Sequence, residues 1–202
     1  MIYVNGDSFS EASTYLDNPG DCWPFRIQQS TNPVFVDAVG GGSNYRIART
    51  STETLLRIYP RVNHAIFAWT DPSRWEKPGG ETLEGEQYFL RKNNLVLEET
   101  VLIENFLTQI KTMDNLCDAL GINSWHMHSF SSPGIDLIDN ELDRQRLQHK
   151  ASLLDSGRWI LPFDTNIAAW ATANSVERDS TNHLSAAGNA ELAVLVKNAI
   201  QL

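Results

Sequence analysis

Short, almost unbroken apolar runs alternate along the chain with longer stretches of helical spacing. Ile2-Tyr3-Val4, the stretch PVFVDAV at 33–39, HAIFAW at 64–69 and INSWHMHSF at 122–130 are the β-rich runs. Between them lie the helical signals. Ser43 or Asn44 caps a predicted helix running to about Arg57. The strongest pattern spans Leu95 to Leu120, where Leu102, Phe106, Ile110, Met113, Cys117 and Leu120 recur at three- and four-residue steps and Gly121 ends the run. A last helix, capped by Ser185, carries Leu192, Leu195, Val196 and Ala199 on one stripe. A short helix is expected from Trp23 to Gln29, with proline in its first turn. Residues 136–178 read as short helices with one further strand near Trp159–Leu161. Residues 73–94, rich in Gly, Glu, Lys and Asn, read as an excursion or lid.

Apolar strands alternating with helices predict an α/β protein, its parallel sheet covered by helices on both faces. The 202 residues suit one domain spanning 1–202. In such sheets reactive groups collect beyond the carboxyl ends of the strands. Gly6-Asp7-Ser8 follows the first run, Gly40-Gly41-Gly42-Ser43-Asn44 the second and Thr70-Asp71 the third. All three are small and polar. Taken singly each is ordinary turn chemistry, since glycine accepts positive φ and Asp or Ser side chains bond nearby backbone.

Composition narrows the partners. A formal net charge of -9, with 16 scattered basic residues, argues against nucleic acid or an anionic membrane. No apolar run approaches the ~20 residues of a membrane helix, and no basic segment leads into an apolar one as a secretory signal would. A cytoplasmic protein is expected, with association to a virion left open. Cys22 and Cys117 show no metal-type spacing and imply no disulfide framework. His126 and His128 share one face of a predicted strand, but no third ligand is evident, so neither a metal nor any other cofactor is expected. No G-x-S-x-G elbow, phosphate loop, HExxH or dinucleotide fingerprint is present.

What remains is a hydroxyl nucleophile. Ser8 at a strand end needs a base to take its proton and donors to hold the oxyanion that forms. His183, just ahead of the last helix, is the candidate base, and Asp179, four residues earlier, is placed to accept from Nδ1 and fix the tautomer. The backbone N–H groups of Ser8 and Gly42 are the expected oxyanion donors, joined by the side chain of Thr70 or Asn44. Asp71 is either a second carboxylate of the site or turn chemistry before Pro72. Arg74, in DPSRWEKPGG, lines an acyl or sugar subsite or merely staples the excursion to the body.

These blocks resemble, in order, those of the SGNH (GDSL-type) hydrolases. Gly6-Asp7-Ser8 is similar to the first block, VGGGSN with Gly42 to the second, AWTD at 68–71 to the third and DSTNHLS at 179–185 to the fifth. WPFRIQ, GGGSNYRIAR and AWTDPSRWE look more narrowly like a branch of small phage-encoded SGNH-like proteins. The resemblance implies a three-layer α/β/α sandwich with a flavodoxin-like central sheet. It also implies a metal-independent serine esterase or O-deacetylase acting on a small acyl ester or O-acetylated carbohydrate. Two departures stand out. Thr70 replaces the block-three Asn, and Asp179 lies one residue before the usual acid position, which is Ser180 here. Those departures favour the rival expectation, a catalytically silent binding or structural module of the same fold, such as a virion component. A lipid-directed hydrolase is a third expectation.

Overall fold

The computed structural model describes residues 1–11, 16–76, 82–83, 98–179 and 181–202. Its strands are β1 (Ile2–Asn5), β2 (Val34–Val36), β3 (His64–Trp69), β4 (Trp75–Glu76), β5 (Thr82–Leu83) and β6 (Asn123–His128). Four of these form one parallel sheet in the order β2-β1-β3-β6. In that register Val4 lies between Val36 and Ile66, and Phe67 between Asn5 and His126. The helices are α1 (Trp23–Arg26), α2 (Asn44–Ile58), α3 (Glu99–Leu120), α4 (Glu141–Ser152), α5 (Ile167–Ala173) and α6 (Ala186–Ile200).

Alternation along the strands divides the core into two layers, because successive side chains leave a strand on opposite faces. Ile2, Val4, Ile66, Ala68 and Met127 pack with Trp23 of α1 and with Leu192, Val196 and Ile200 of α6. Tyr3, Ala65, Phe67 and Trp69 pack on the other side with Ile47 and Leu55 of α2 and with Phe106, Ile110 and Met113 of α3. Burying each of those large side chains contributes roughly 1.5–3 kcal/mol relative to exposure. The result is the α/β/α sandwich with the flavodoxin-like strand order.

The predicted caps account for the helix ends. Ser43 Oγ accepts from the Arg46 N–H at 3.1 Å, and Ser185 Oγ from the Gly188 N–H at 3.2 Å. Gly121, at φ 69°, closes α3 in the left-handed conformation that glycine adopts without strain. Two expectations need correction. The helix at Trp23 stops after one turn at Arg26. No strand forms near Trp159: it makes a single parallel bridge to His126, with the Ile160 N–H donating to the His126 carbonyl at 2.9 Å. Pro162, two residues on, has no N–H to extend the ladder. Of the excursion at 73–94, residues 75–76 and 82–83 pair as an antiparallel ribbon, and residues 77–81 and 84–94 lie outside the described residues.

One interaction aims the end of β1. Asn5 is fully buried; its Nδ2 donates to the Ile47 carbonyl at 3.1 Å and to Ser51 Oγ at 2.8 Å, and its Oδ1 accepts from the Gly6 N–H at 2.8 Å. The strand terminus is thereby tied to α2. Gly6 then crosses so close to β3 that a Cβ there would lie 2.8 Å from the Ala68 Cβ. Only glycine fits.

Candidate active site

Past Gly6 the chain turns tightly. Asp7 Oδ1 accepts from the Phe9 N–H at 3.1 Å, and the Asp7 carbonyl accepts from the Ser10 and Glu11 N–H groups at 2.9 and 3.0 Å. The turn carries Ser8 to the carboxyl end of the sheet, where only 7% of it is exposed. Its own N–H donates to no described residue.

His183 arrives from the far end of the chain on a tight loop. Arg178 and Leu184 bridge antiparallel, and the Asp179 N–H donates to the His183 carbonyl at 2.8 Å. The His183 N–H donates back to Asp179 Oδ1 at 3.0 Å. Buried Leu184 anchors the loop, its carbonyl accepting from Asn189 Nδ2 of α6 at 2.9 Å. The imidazole stands against the rings of Phe9 and Phe130, with centroids 5.1 and 6.1 Å away. Its Nε2 lies 2.9 Å from Ser8 Oγ.

The other ring nitrogen meets a residue that sequence reasoning missed. Thr181 Oγ1 lies 2.9 Å from His183 Nδ1 and donates to Asp179 Oδ1 at 2.7 Å. With its proton committed to the carboxylate, the hydroxyl oxygen accepts from Nδ1–H, which leaves the Nε2 lone pair facing the serine. Asp179 lies behind Thr181, its Oδ1 also receiving the Thr181 N–H at 2.8 Å. The four-residue spacing explains this: in so short a loop the carboxylate turns inward onto the loop's own N–H groups. The only sequence signal was a hydroxyl residue two positions before the histidine.

The charges suit a general base. Burial of the His183 ring is the largest influence and holds its pKa below the ordinary value; the charge of Asp179 works in the opposite direction, and that of Arg74 adds to the lowering. Burial acts to raise the Asp179 pKa, but the Thr181 hydroxyl and the loop N–H groups outweigh it and keep the carboxyl low. A neutral imidazole over an ionised carboxylate results.

The expected oxyanion donors are placed differently from Ser8 and His183. The Gly42 N–H donates to the Val39 carbonyl at 2.9 Å. A Cβ at Gly42 would stand 2.9 Å from that oxygen and 3.4 Å from the Gly6 carbonyl. The missing side chain thus serves the loop's own packing as well as any approach by substrate. Asn44 brackets the Thr70 backbone, with Nδ2 donating to its carbonyl at 3.0 Å and Oδ1 accepting from its N–H at 2.8 Å. Thr70 is fully buried, and its hydroxyl lies by the Asp7 carboxyl without a hydrogen bond of normal geometry. The glycine facing the serine is Gly40, where a Cβ would come 3.8 Å from Ser8 Cβ. Its N–H donates to Glu11 Oε2 at 2.7 Å.

Beneath the serine sits a buried charge pair. Asp7 is fully buried, and desolvation pushes its pKa up to about 6 against the pull of the Phe9 N–H and the Arg74 charge. Arg74 Nη1 is 3.8 Å from Asp7 Oδ2, and the Arg74 Cζ lies 4.6 Å from the Phe130 ring centroid. Asp71 holds the Ser131 hydroxyl and accepts from the Ser73 N–H at 2.8 Å. Burial would raise its pKa, but those bonds and Arg74 bring it below the usual range. It braces the loop carrying Arg74 instead of pairing with it.

His126 and His128 lie elsewhere, on the α3 side of the sheet. His126 Nδ1 accepts from Trp69 Nε1 at 3.0 Å, and Nε2 meets Asp114 Oδ1 at 2.8 Å. His128 lies among Phe106, Trp159 and Phe163, where burial lowers its pKa to about 3. Among the described residues no group of three His, Cys, Asp or Glu is arranged to hold a metal ion. No described helix is long and apolar enough to cross a membrane.

No protein-family model and no curated protein sequence matches the chain. Solved structures do, over nearly its whole length. The psychrotrophic esterase EstA from Pseudoalteromonas sp. superposes with a TM-score of 0.57 at 12% identity, covering 99% of this chain and 96% of the other. The acetyl xylan esterase AlAXEase gives 0.57 at 13%, covering 99% and 100%. A protein from Desulfitobacterium hafniense DCB-2, described as lipolytic and of the G-D-S-L family, gives 0.51 at 11%, covering 98% of each. At such identities the likeness speaks for architecture. The chain has the fold of the SGNH (GDSL-type) hydrolases.

Proposed function

We propose that the protein is a serine ester hydrolase of the SGNH type, acting without a metal on a small acyl ester or an O-acetylated carbohydrate. The observation that carries this reading is the 2.9 Å contact between Ser8 Oγ and His183 Nε2, with Nδ1 held by Thr181. Ser8 Oγ attacks the ester carbonyl carbon as its proton passes to Nε2. Collapse of the tetrahedral intermediate breaks the bond to the alcohol oxygen, and His183 returns the proton to that leaving group. Water, deprotonated by the same imidazole, then releases the acid and restores Ser8. Asp179, acting through Thr181, holds the ring in the required tautomer and stabilises the imidazolium. The Ser8 N–H is one oxyanion donor and the 40–42 loop supplies another. Gly40 faces the serine, so Glu11 must release its N–H for substrate to use it. The structural neighbours described as esterases support ester hydrolysis as the reaction class.

A serine-directed fluorophosphonate tests the nucleophile. Mass spectrometry should find the adduct on Ser8, and Ser8→Ala should abolish labelling and ester turnover. A second reading, a silent module of the same fold, is favoured by one observation: Glu11 and Val39 occupy the Gly40 and Gly42 donors. Absence of both adduct and turnover would select it.

A further inference from the structure

Two buried residues tie the loop of Ser8 to the loop of His183. Trp23, the first residue of α1, is fully buried, and Asn189 of α6 is 4% exposed. On one side the Trp23 indole Nε1–H donates to the carbonyl of Phe9, next to Ser8, at 2.9 Å. On the other the Trp23 backbone N–H donates to Asn189 Oδ1 at 3.0 Å. Asn189 Nδ2 in turn donates to the carbonyls of Leu184, next to His183, and of Ser185, at 2.9 and 3.0 Å. Together with the 2.9 Å contact of His183 Nε2 and Ser8 Oγ, these bonds close a ring that runs through both loops.

The residue types in the ring suit its bonds. Asn189 meets one N–H and two carbonyls, a task for a carboxamide, which carries an acceptor and two donors. Cys22 gives α1 no side-chain cap, so the Trp23 N–H, left without an intrahelical partner in the first turn, takes Asn189 instead. Trp23 packs in one core layer with Phe9, Leu184 and Leu192, and its indole still carries a donor. Phe9 passes the hold on its backbone to the base. Its N–H is bonded to Asp7 Oδ1 at 3.1 Å, and its ring stands 5.1 Å from the imidazole. Trp23, Asn189, Phe9 and Leu184 are all buried, so water has little access to replace a lost bond, and removing one partner leaves the other unpaired. Ser8 and His183 are 175 positions apart in the chain, so packing alone sets their separation. A misplacement of about 1 Å can cost a reaction about 100-fold.

We infer that Trp23 and Asn189 are positioning residues of the hydrolytic site, holding Ser8 Oγ within proton-transfer distance of His183 Nε2 through Phe9 and Leu184. The inference rests on the serine hydrolase reading. Its test uses the full chain. Trp23→Phe keeps an aromatic ring and deletes the indole donor. Asn189→Asp keeps an acceptor for the Trp23 N–H and turns its other oxygen against two carbonyls. In both variants kcat on 4-nitrophenyl acetate and the rate of fluorophosphonate labelling at Ser8 should fall about tenfold or more, with KM within about twofold. Ser124→Ala is the control: it removes a buried hydrogen bond to Asp114 on the α3 side of the sheet and should lower the denaturant midpoint while leaving kcat within about twofold. An unchanged kcat in the two bracket variants overturns the inference, and so does an equal fall in Ser124→Ala, which would make kcat a mere reflection of stability. Should the bracket variants fail to fold, Ser8→Ala opens the ring at its other end. Hydrogen exchange at the Trp23 indole should then quicken by about threefold or more relative to the Trp69 indole, which His126 holds on the α3 side; an unchanged ratio overturns the inference. Labelling and turnover in wild type with no effect of the bracket variants would end the positioning role and leave the hydrolase reading standing. A wild type showing neither adduct nor turnover would end both.

Discussion

Thr181 places its hydroxyl 2.9 Å from His183 Nδ1, between the imidazole and the Asp179 carboxylate. A neutral hydroxyl in that position fixes the tautomer as a direct carboxylate would. It transmits less of the negative charge.

The first prediction concerns this relay. Thr181→Val keeps the shape and removes the hydrogen bond, so kcat/KM on 4-nitrophenyl acetate should fall about 100-fold, short of the ~10⁴ reported for a wrong tautomer in a direct triad. Thr181→Ser should recover most of the rate. Steady-state kinetics on the two variants, with circular dichroism to verify folding, is the check. An unimpaired Thr181→Val enzyme would remove the relay from the mechanism.

The pH profile gives a second. Only neutral imidazole accepts the Ser8 proton, and burial lowers the His183 pKa. The acid limb of kcat/KM should therefore have its midpoint below the ordinary pH 6.5 of histidine, with the rate rising as pH rises through it. Asp179 raises that pKa, so Asp179→Asn should move the midpoint lower still while reducing the plateau. A midpoint above 6.5 in the wild type would contradict the ring's burial.

Glu11 supplies a third. Its Oε2 sits 2.7 Å from the Gly40 N–H, a donor that a tetrahedral oxyanion would use. Glu11→Ala frees that donor and should raise kcat several-fold, below the ~100-fold that one oxyanion donor supplies. Glu11→Gln, which still offers an oxygen, should change kcat less. A fall in kcat for Glu11→Ala would mean that the carboxylate positions the loop instead of blocking it.

The fourth is a stability effect. In the folded protein Asp7 titrates at about 6 against an ordinary 3.8. A raised carboxyl favours folding below pH 4 and loses that contribution as pH rises through about 6. By linkage the loss is on the order of 3 kcal/mol. Asp7→Asn keeps an acceptor for the Phe9 N–H and cannot ionise. Its denaturant midpoint should exceed that of wild type at pH 8 and gain little at pH 4. A variant less stable than wild type at pH 8 would show that attraction to Arg74 outweighs desolvation.

The local pattern made much of the fold legible. The unbroken apolar run Ile2-Tyr3-Val4 foretold a strand covered on both faces, and the steps from Leu102 to Cys117 foretold α3. Ser43, Gly121 and Ser185 marked helix ends through chemistry contained within a few residues. Where pairing needed a distant partner the reading was less secure, as at Trp159, where Pro162 interrupts the ladder and leaves isolated bridges in place of a strand. For the site, Ser8 and His183 were visible because a hydroxyl after a strand and a histidine before a helix are positional signals. Thr181, Glu11 and Arg74 were not read in the roles found for them, since their partners depend on which loops meet.

By itself, then, the sequence determined the parallel α/β architecture, the strand ends at Ser8, Gly40 and Thr70, and the short loop that carries His183. These follow from periodicity and capping, which act over a few residues. Tertiary structure alone decided that Ser8 and His183 meet at 2.9 Å, that Thr181 stands between ring and carboxylate, and that Glu11 and Val39 take the glycine donors. Hydrogen bonds form only within about 3 Å, and which groups come that close is settled by the packing of the two layers on the sheet.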